Sequence, residues 1–215
     1  MTEHRRQRRL SSAERRAQLI DVGRDTFADV GYEAATVEEI ARRAGITKPI
    51  VYGHFGGKEG LYAVVVEREA EYVLNAIEAA ISTGMPRERI ESAVLVFLEY
   101  VRDHPAGFVL LARDSPATSR YSSMLADIAS RVAAIFAEEF AHAGYDPANA
   151  SIYAQALIGM VTYVGQWWHD DRSRPVEDVA RHLSALAWMG LRHLPPAPTP
   201  IEAAMRRLPS ETLGA

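Results

Sequence analysis

The sequence predicts an all-α fold on two observations. Apolar residues recur at three- and four-residue spacing along nearly the whole chain, and no stretch sustains the alternate-residue pattern of a strand. The breaks between periodic stretches fall at Gly, Pro, Asp and Ser, which are turn and cap chemistry. The expected architecture is an N-terminal three-helix unit followed by a larger helical body, about nine helices in all.

Residues 1–10 form a basic, polar arm. The first helix starts at Ser11/Ser12 with Glu14 in its first turn, carries Leu19, Ile20, Gly23, Phe27 and Val30, and stops at Gly31. Thr36-Val37-Glu38-Glu39 has the capping-box pattern, in which the Thr hydroxyl takes an orphan N–H and Glu39 reaches back to the cap. A second helix is therefore expected over 37–44, ending at Gly45, and a third, capped by Thr47, over 47–54. Gly56-Gly57 breaks it, and a long fourth helix runs from Lys58 to Ser82. Five more follow over 87–103, 106–113, 121–143, 147–170 and 175–193, separated by His104-Pro105, Asp114-Ser115-Pro116, Gly144-Tyr145-Asp146 and Arg172-Ser173-Arg174. Pro195, Pro196, Pro198 and Pro200 end the ordered part, leaving a short amphipathic piece with Ile201, Met205 and Leu208. The division expected is an arm at 1–10, a unit at 11–57 continuing into the fourth helix, a body at 58–194 and a Pro-rich tail at 195–215.

Composition narrows the function classes. The 215 residues contain no Cys, which excludes disulfides and thiolate metal sites. The N-terminus develops no apolar signal segment, and the most apolar stretch, 154–168, is too short and, with Gln155, Thr162 and Gln166, too polar to span a bilayer. A cytoplasmic protein is expected. Net charge is −4, but its distribution is uneven: residues 1–58 carry +3 and the rest −7. A basic head on an acidic body suits a modular DNA binder, because phosphate attracts the head while the body is kept away. Both lysines of the chain, Lys48 and Lys58, lie in the head.

Residues 37–55 have helix-turn-helix spacing. Ala41 is small where two helices cross, Gly45 supplies the positive φ of a tight turn, and Val51 packs back, with Ile40, Ala44, Ile46 and Phe55 completing a small core. A generic three-helix unit shows the same pattern, so spacing alone leaves both readings open. The run Ala28-x-x-Gly31-Tyr32, Thr36-Val37-x-x-Ile40-Ala41-x-x-Ala44-Gly45-Ile46-Thr47-Lys48-Pro49-x-Val51-Tyr52-x-His54-Phe55-x-x-Lys58-Glu59-x-Leu61 closely resembles the N-terminal signature of the TetR family of transcriptional regulators. One departure is Gly53, where that family more often has a polar residue; a mid-helix glycine costs about 1 kcal/mol of helix propensity and removes one contact.

The resemblance implies a regulator without catalytic residues or cofactor, most often a repressor that leaves a palindromic operator when a small molecule binds. It implies that Thr47, Lys48 and Pro49 open a recognition helix whose first turn enters the major groove of double-stranded operator DNA, with Tyr52 one turn on. Thr36, His54 and Lys58 are the accompanying phosphate candidates, Lys58 at a helix N-terminus. Two readings stay open for Arg42 and Arg43, as DNA contacts or as cations favoured at a helix end, and for Arg5, Arg6, Arg8 and Arg9, as a minor-groove arm or a solvated tail. Thr36 and Thr47 would serve as caps without DNA.

The resemblance also implies that the body encloses an effector cavity and forms a homodimer through its last two long helices, here 147–170 and 175–193. Ile152, Ala156, Gly159 and Tyr163 line one stripe, and Val179, Leu183, Leu186 and Gly190 another, with small residues that let helices approach. Phe108, Arg113, Met124, Tyr153, Met160, Tyr163 and Trp167 are the effector-pocket candidates, each also readable as ordinary core or, for Arg113, as a helix-end cation. Against an enzyme stand the missing G-x-S-x-G, G-x-G-x-x-G and Walker patterns. His169-Asp170-Asp171 and the pair Asp178/His182 read most simply as solvated groups, so no metal site is expected.

Overall fold

The computed structural model describes residues 10–112 and 118–194. Nine α-helices and one 3-10 turn run through the described residues, without a strand. No helix among them is long and apolar enough to cross a membrane. Arg113, the arginines at 5–9 and the tail from Pro195 lie outside the described residues.

α1 (Ser12–Ala34) opens on a capping box: the Ser11 hydroxyl accepts from the Glu14 N–H, and the Glu14 carboxylate accepts from the Ser11 N–H at 2.7 Å. Gly31 interrupts it at φ 79°, ψ 166°, and one further turn follows, so the expected stop is a kink. α2 (Val37–Arg43) and α3 (Lys48–Phe55) form the angled pair, turning at Gly45 with φ 66°. Leu19, Phe27, Ile40, Val51 and Leu61 are all but inaccessible and make the core of this head.

α4 (Lys58–Ile81) is the spine, buried against the head by Tyr62, Val65 and Val66 and against the body by Val73, Ile77 and Ile81. The body adds α5 (Pro86–Asp103), α6 (Pro105–Ala112), α7 (Thr118–Ala143), α8 (Ala150–Asp170) and α9 (Val176–Arg192). α7 packs on α8, α5 on α4 and α9, and α6 on α1. α5 and α9 run antiparallel: Arg102, near the end of α5, lies 3.8 Å from Glu177, at the start of α9. The turn between α8 and α9 is tied down by Trp168, whose indole N–H donates to the Arg174 carbonyl at 2.9 Å, and by Arg172, which donates to the Val101 carbonyl at 2.9 Å.

The helix expected from Pro147 begins at Ala150. Residues Pro147–Asn149 wind as a 3-10 turn because the Asp146 carboxylate caps the Ala148 N–H and Pro147 has no N–H to continue the ladder. The helix expected from Tyr121 begins at Thr118.

Candidate nucleic-acid interface and bundle cavity

α3 meets the head core through Val51, which is fully buried, while Thr47, Lys48, Pro49, Tyr52 and Gly53 are exposed together on its other side. An outward face at the start of a second helix is the arrangement that can enter a major groove. Thr47 stands at the N-cap position with extended backbone, but its side chain accepts no capping bond, contrary to the expected cap. Pro49 in the first turn needs no N–H partner, which reduces the demand for one.

Thr36 does cap α2, its hydroxyl accepting from the Glu39 N–H at 3.2 Å. The expected reciprocal bond from Glu39 is absent, because that carboxylate is taken by cations of its own helix. Arg42 donates to it twice, at 2.8 and 2.7 Å, and Arg43 once at 2.8 Å, while Arg43 also reaches Asp29 at 2.6 Å. The Arg42 and then the Arg43 hydrogen bonds hold the Glu39 carboxyl down at about 2. Both arginines therefore brace α2 in the free protein. The Thr36 hydroxyl keeps its proton available for a phosphate.

Lys48 is paired with Glu38 of α2 across the turn. Lys58 is turned into the head: its ammonium donates to the Tyr32 carbonyl at 2.9 Å and the Glu33 carbonyl at 3.3 Å, and sits 4.3 Å from the centre of the Tyr32 ring. It closes the last turn of α1 onto the start of α4, a structural contact not foreseen from sequence. His54 is half-buried beside Phe55, over whose ring Arg16 lies at 4.6 Å.

The body holds a cavity of about 360 Å³ between α4, α5, α7, α8 and α9. Val73, Val94, Phe97 and Met124 close one end and are all buried. Of the residues nominated from sequence, Met124 is on the wall. The others among the described residues occupy different places for identifiable reasons, and Arg113 lies outside the described residues. Phe108 lies behind the cavity floor, edge-on to Phe97 at 6.2 Å. Tyr153 backs the wall, edge-on to Phe140 at 5.4 Å. Met160 is half-buried against the core, and Tyr163 and Trp167 project from the outer face of α8. The stripe missed from sequence is that of α7, where Ile128, Val132, Ile135, Phe136 and Phe140 repeat at helical spacing.

One buried carboxylate joins head and body. Glu69, in the middle of α4, is 7% exposed, accepts from the Tyr100 hydroxyl at 3.1 Å and lies 3.6 Å from the Arg24 guanidinium of α1. A Cβ on Gly107 of α6 would stand 2.1 Å from the Glu69 carboxylate and 2.6 Å from the Tyr100 hydroxyl, so any larger residue here would displace that pair. Glu69 is one turn from Val73 and Tyr100 is one turn from Phe97, so the pair sits directly beneath the cavity floor. Its signal in the sequence is a Glu standing where the apolar stripe of α4 calls for a hydrophobic residue.

Comparisons with known proteins agree with this geometry. Residues 19–65 match the model of bacterial regulatory proteins of the tetR family, and residues 86–190 match the tetracyclin repressor-like C-terminal domain. The chain is 29% identical to the HTH-type transcriptional activator FasR of Mycolicibacterium smegmatis, over 89% of this chain and 90% of that one. It is 33% identical to the HTH-type regulator TtgW of Pseudomonas putida, over 52% of this chain and 72% of the relative. A TetR-like transcriptional regulator from Rhodococcus sp. RHA1 superposes with a TM-score of 0.71 at 27% identity, covering 86% of this chain and all of the other. With a helix-turn-helix head, a helical body, nine helices in all among the described residues, and both family models matched in order, this chain belongs to the tetR family of DNA-binding transcriptional regulators.

Proposed function

We propose that the chain acts as a homodimer that grips a palindromic operator with α3 of each protomer, and that a small molecule in the bundle cavity changes that grip. The observation that carries the reading is α4, a single helix that packs against the head at one end and walls the cavity at the other. Glu69 lies between, bound to the body through Tyr100 and to the head through Arg24. A ligand acts through such a joint only by preferring one of its two arrangements. Lys48, Pro49, Tyr52 and Thr47 are assigned to the groove and Thr36 to phosphate, while Lys58 holds the head together. Repression is the output proposed, because a dimer seated on a palindrome blocks other users of that stretch, although one relative is named an activator. The chain is then a binding protein, not a catalyst, and works in the cytoplasm with its DNA.

The dimer face is assigned to the outer sides of α8 and α9. Tyr163 is 74% exposed and Leu186 65%, with Ile152, Trp167 and Met189 also exposed, an apolar surface that favours burial. Val179 and Leu183, expected in the same seam, are 6% exposed within the protomer and belong to its own core. Tyr163→Glu with Leu186→Glu therefore tests the seam without touching that core, since charge buried there would be unpaired. Sedimentation of the parent at twice the 23.8 kDa chain mass, and of the variant at the chain mass with an unchanged helical spectrum, is expected. The variant should also lose most of its affinity for a duplex the parent retains. A variant that sediments as a folded dimer overturns the assignment.

A further inference from the structure

We infer that the cavity takes a long aliphatic chain carrying one anionic head group, with the head held between Arg89 and Arg192. This rests on the reading of the cavity as the effector site, and gives that site its ligand class.

The shape comes first. Lining residues on α7 extend from Met124 to Ala143, about 28 Å of helix, and on α5 from Pro86 to Phe97, about 16 Å. The space is therefore a slot running along the bundle. Its deep end is closed by buried apolar side chains, with the Phe97 ring lying close against Gly165, where a Cβ would stand 2.6 Å from it.

The polar groups are grouped, not scattered. Arg89, Glu139 and Arg192 all line the slot and are the charged residues that do so. α5 begins where α9 ends, and the Tyr145 hydroxyl, just beyond α7, donates to the Leu194 carbonyl at 2.8 Å, so all three helix ends meet at one mouth. Arg192 and Glu139 are exposed and Arg89 half-exposed, which marks this end as the opening. Along the interior, the Thr162 hydroxyl already donates to the Ile158 carbonyl at 2.8 Å. A ligand with polar groups along its length would leave them unpaired, whereas an aliphatic chain asks for no partner.

The sign of the head group follows from the mouth. Two guanidinium groups face one carboxylate, a net excess of positive charge. Arg89 uses only its Nε, on the Gly84 carbonyl at 3.0 Å, which leaves its terminal nitrogens for an acceptor. Neither arginine is in an ion pair among the described residues. A carboxylate or phosphate fits this fork, and a quaternary ammonium head does not.

The test is equilibrium binding of octanoate, dodecanoate and hexadecanoate to the full chain, each below its micellar concentration, beside hexadecyl phosphate, hexadecanol and hexadecyltrimethylammonium. Nile red, a neutral apolar dye, reports on the cavity itself, and Ala93→Trp serves as the blocked control. Affinity should rise roughly tenfold for every two methylenes until the slot is filled. Arg89→Gln and Arg192→Gln, both at the open mouth and with melting curves like the parent, should each weaken hexadecanoate by about tenfold while leaving hexadecanol unchanged. Dye binding that Ala93→Trp abolishes, with no binding of the anionic chains or with the ammonium chain bound as well as the carboxylate, overturns the ligand class and leaves the effector site standing. Absence of dye and chains alike overturns both. The two anionic arms distinguish a carboxylate from a phosphate head.

Discussion

Gly60→Ala is expected to lower the melting temperature by roughly 4–8 °C and to abolish operator binding. A Cβ at Gly60 would stand 1.9 Å from the Phe55 carbonyl oxygen and 3.0 Å from its carbon. Those are backbone atoms, so relief requires the end of α3 to move away from α4. The added methyl would improve helix propensity by about 1 kcal/mol, but overpacking of this kind costs about 1–3 kcal/mol or more, and the clash wins. A chain of this size loses about 2–4 °C per kcal/mol. The effect on DNA exceeds the effect on stability because the helix displaced is the one assigned to the groove. A melting curve with a duplex titration checks both parts. An unchanged melting temperature would mean that α3 is not seated on α4 as described.

Lys48→Ala is expected to weaken operator binding by about thirtyfold or more at fixed salt, with little change in melting temperature. In the free protein the ammonium is held by Glu38, and about half of each side chain is exposed. An exposed pair of this kind is worth about 0–1 kcal/mol, so the lysine leaves it readily for DNA and its loss hardly touches the fold. A good contact contributes about 1–3 kcal/mol, and a dimer loses two. The variant also leaves Glu38 unneutralised beside the phosphates. The converse change, Glu38→Gln, should therefore tighten binding to any duplex, specific or not, and more so at low salt. Parent-like affinity of Lys48→Ala in a gel-shift titration would remove α3 from the groove. Looser binding by Glu38→Gln would instead make Glu38 a base contact in its own right.

Helical periodicity and turn chemistry were enough to place the nine helices of the described residues, because each long helix has one apolar face and a Gly, Pro or Asp at its boundary. The start of α1 at Ser11/Ser12 and the Thr36 cap were legible, since such signals are local in sequence. The fate of Glu39 was not, because Thr-x-x-Glu matches a capping box equally well whether the carboxylate turns to the cap or to Arg42 and Arg43. The contacts of Lys58 within the head were illegible for a similar reason: its partners are backbone carbonyls of Tyr32 and Glu33, which no side-chain pattern announces. Periodicity separates apolar from polar faces, but it does not distinguish an apolar residue buried in the protomer from one left exposed on its surface. That is why Leu183 and Leu186 read alike and the structure parts them. The cavity was the least legible feature. Aromatic and Met residues drew notice, yet Phe108 and Tyr153 stand behind the wall that the plainer Ile and Val residues of α7 and α4 provide.

The most direct test of the account is selection of duplexes from a random pool by the purified full chain, followed by sequencing of what it retains. Two copies of α3 related by a dimer axis should enrich inverted repeats of one short sequence, with centres about one helical turn apart, roughly 10 base pairs, or a little more. The same selection with Lys48→Ala should lose most of that enrichment. A pool that converges on a single unrepeated half-site, or that shows no enrichment at low salt, would contradict the claim that this chain reads a palindrome as a dimer through α3.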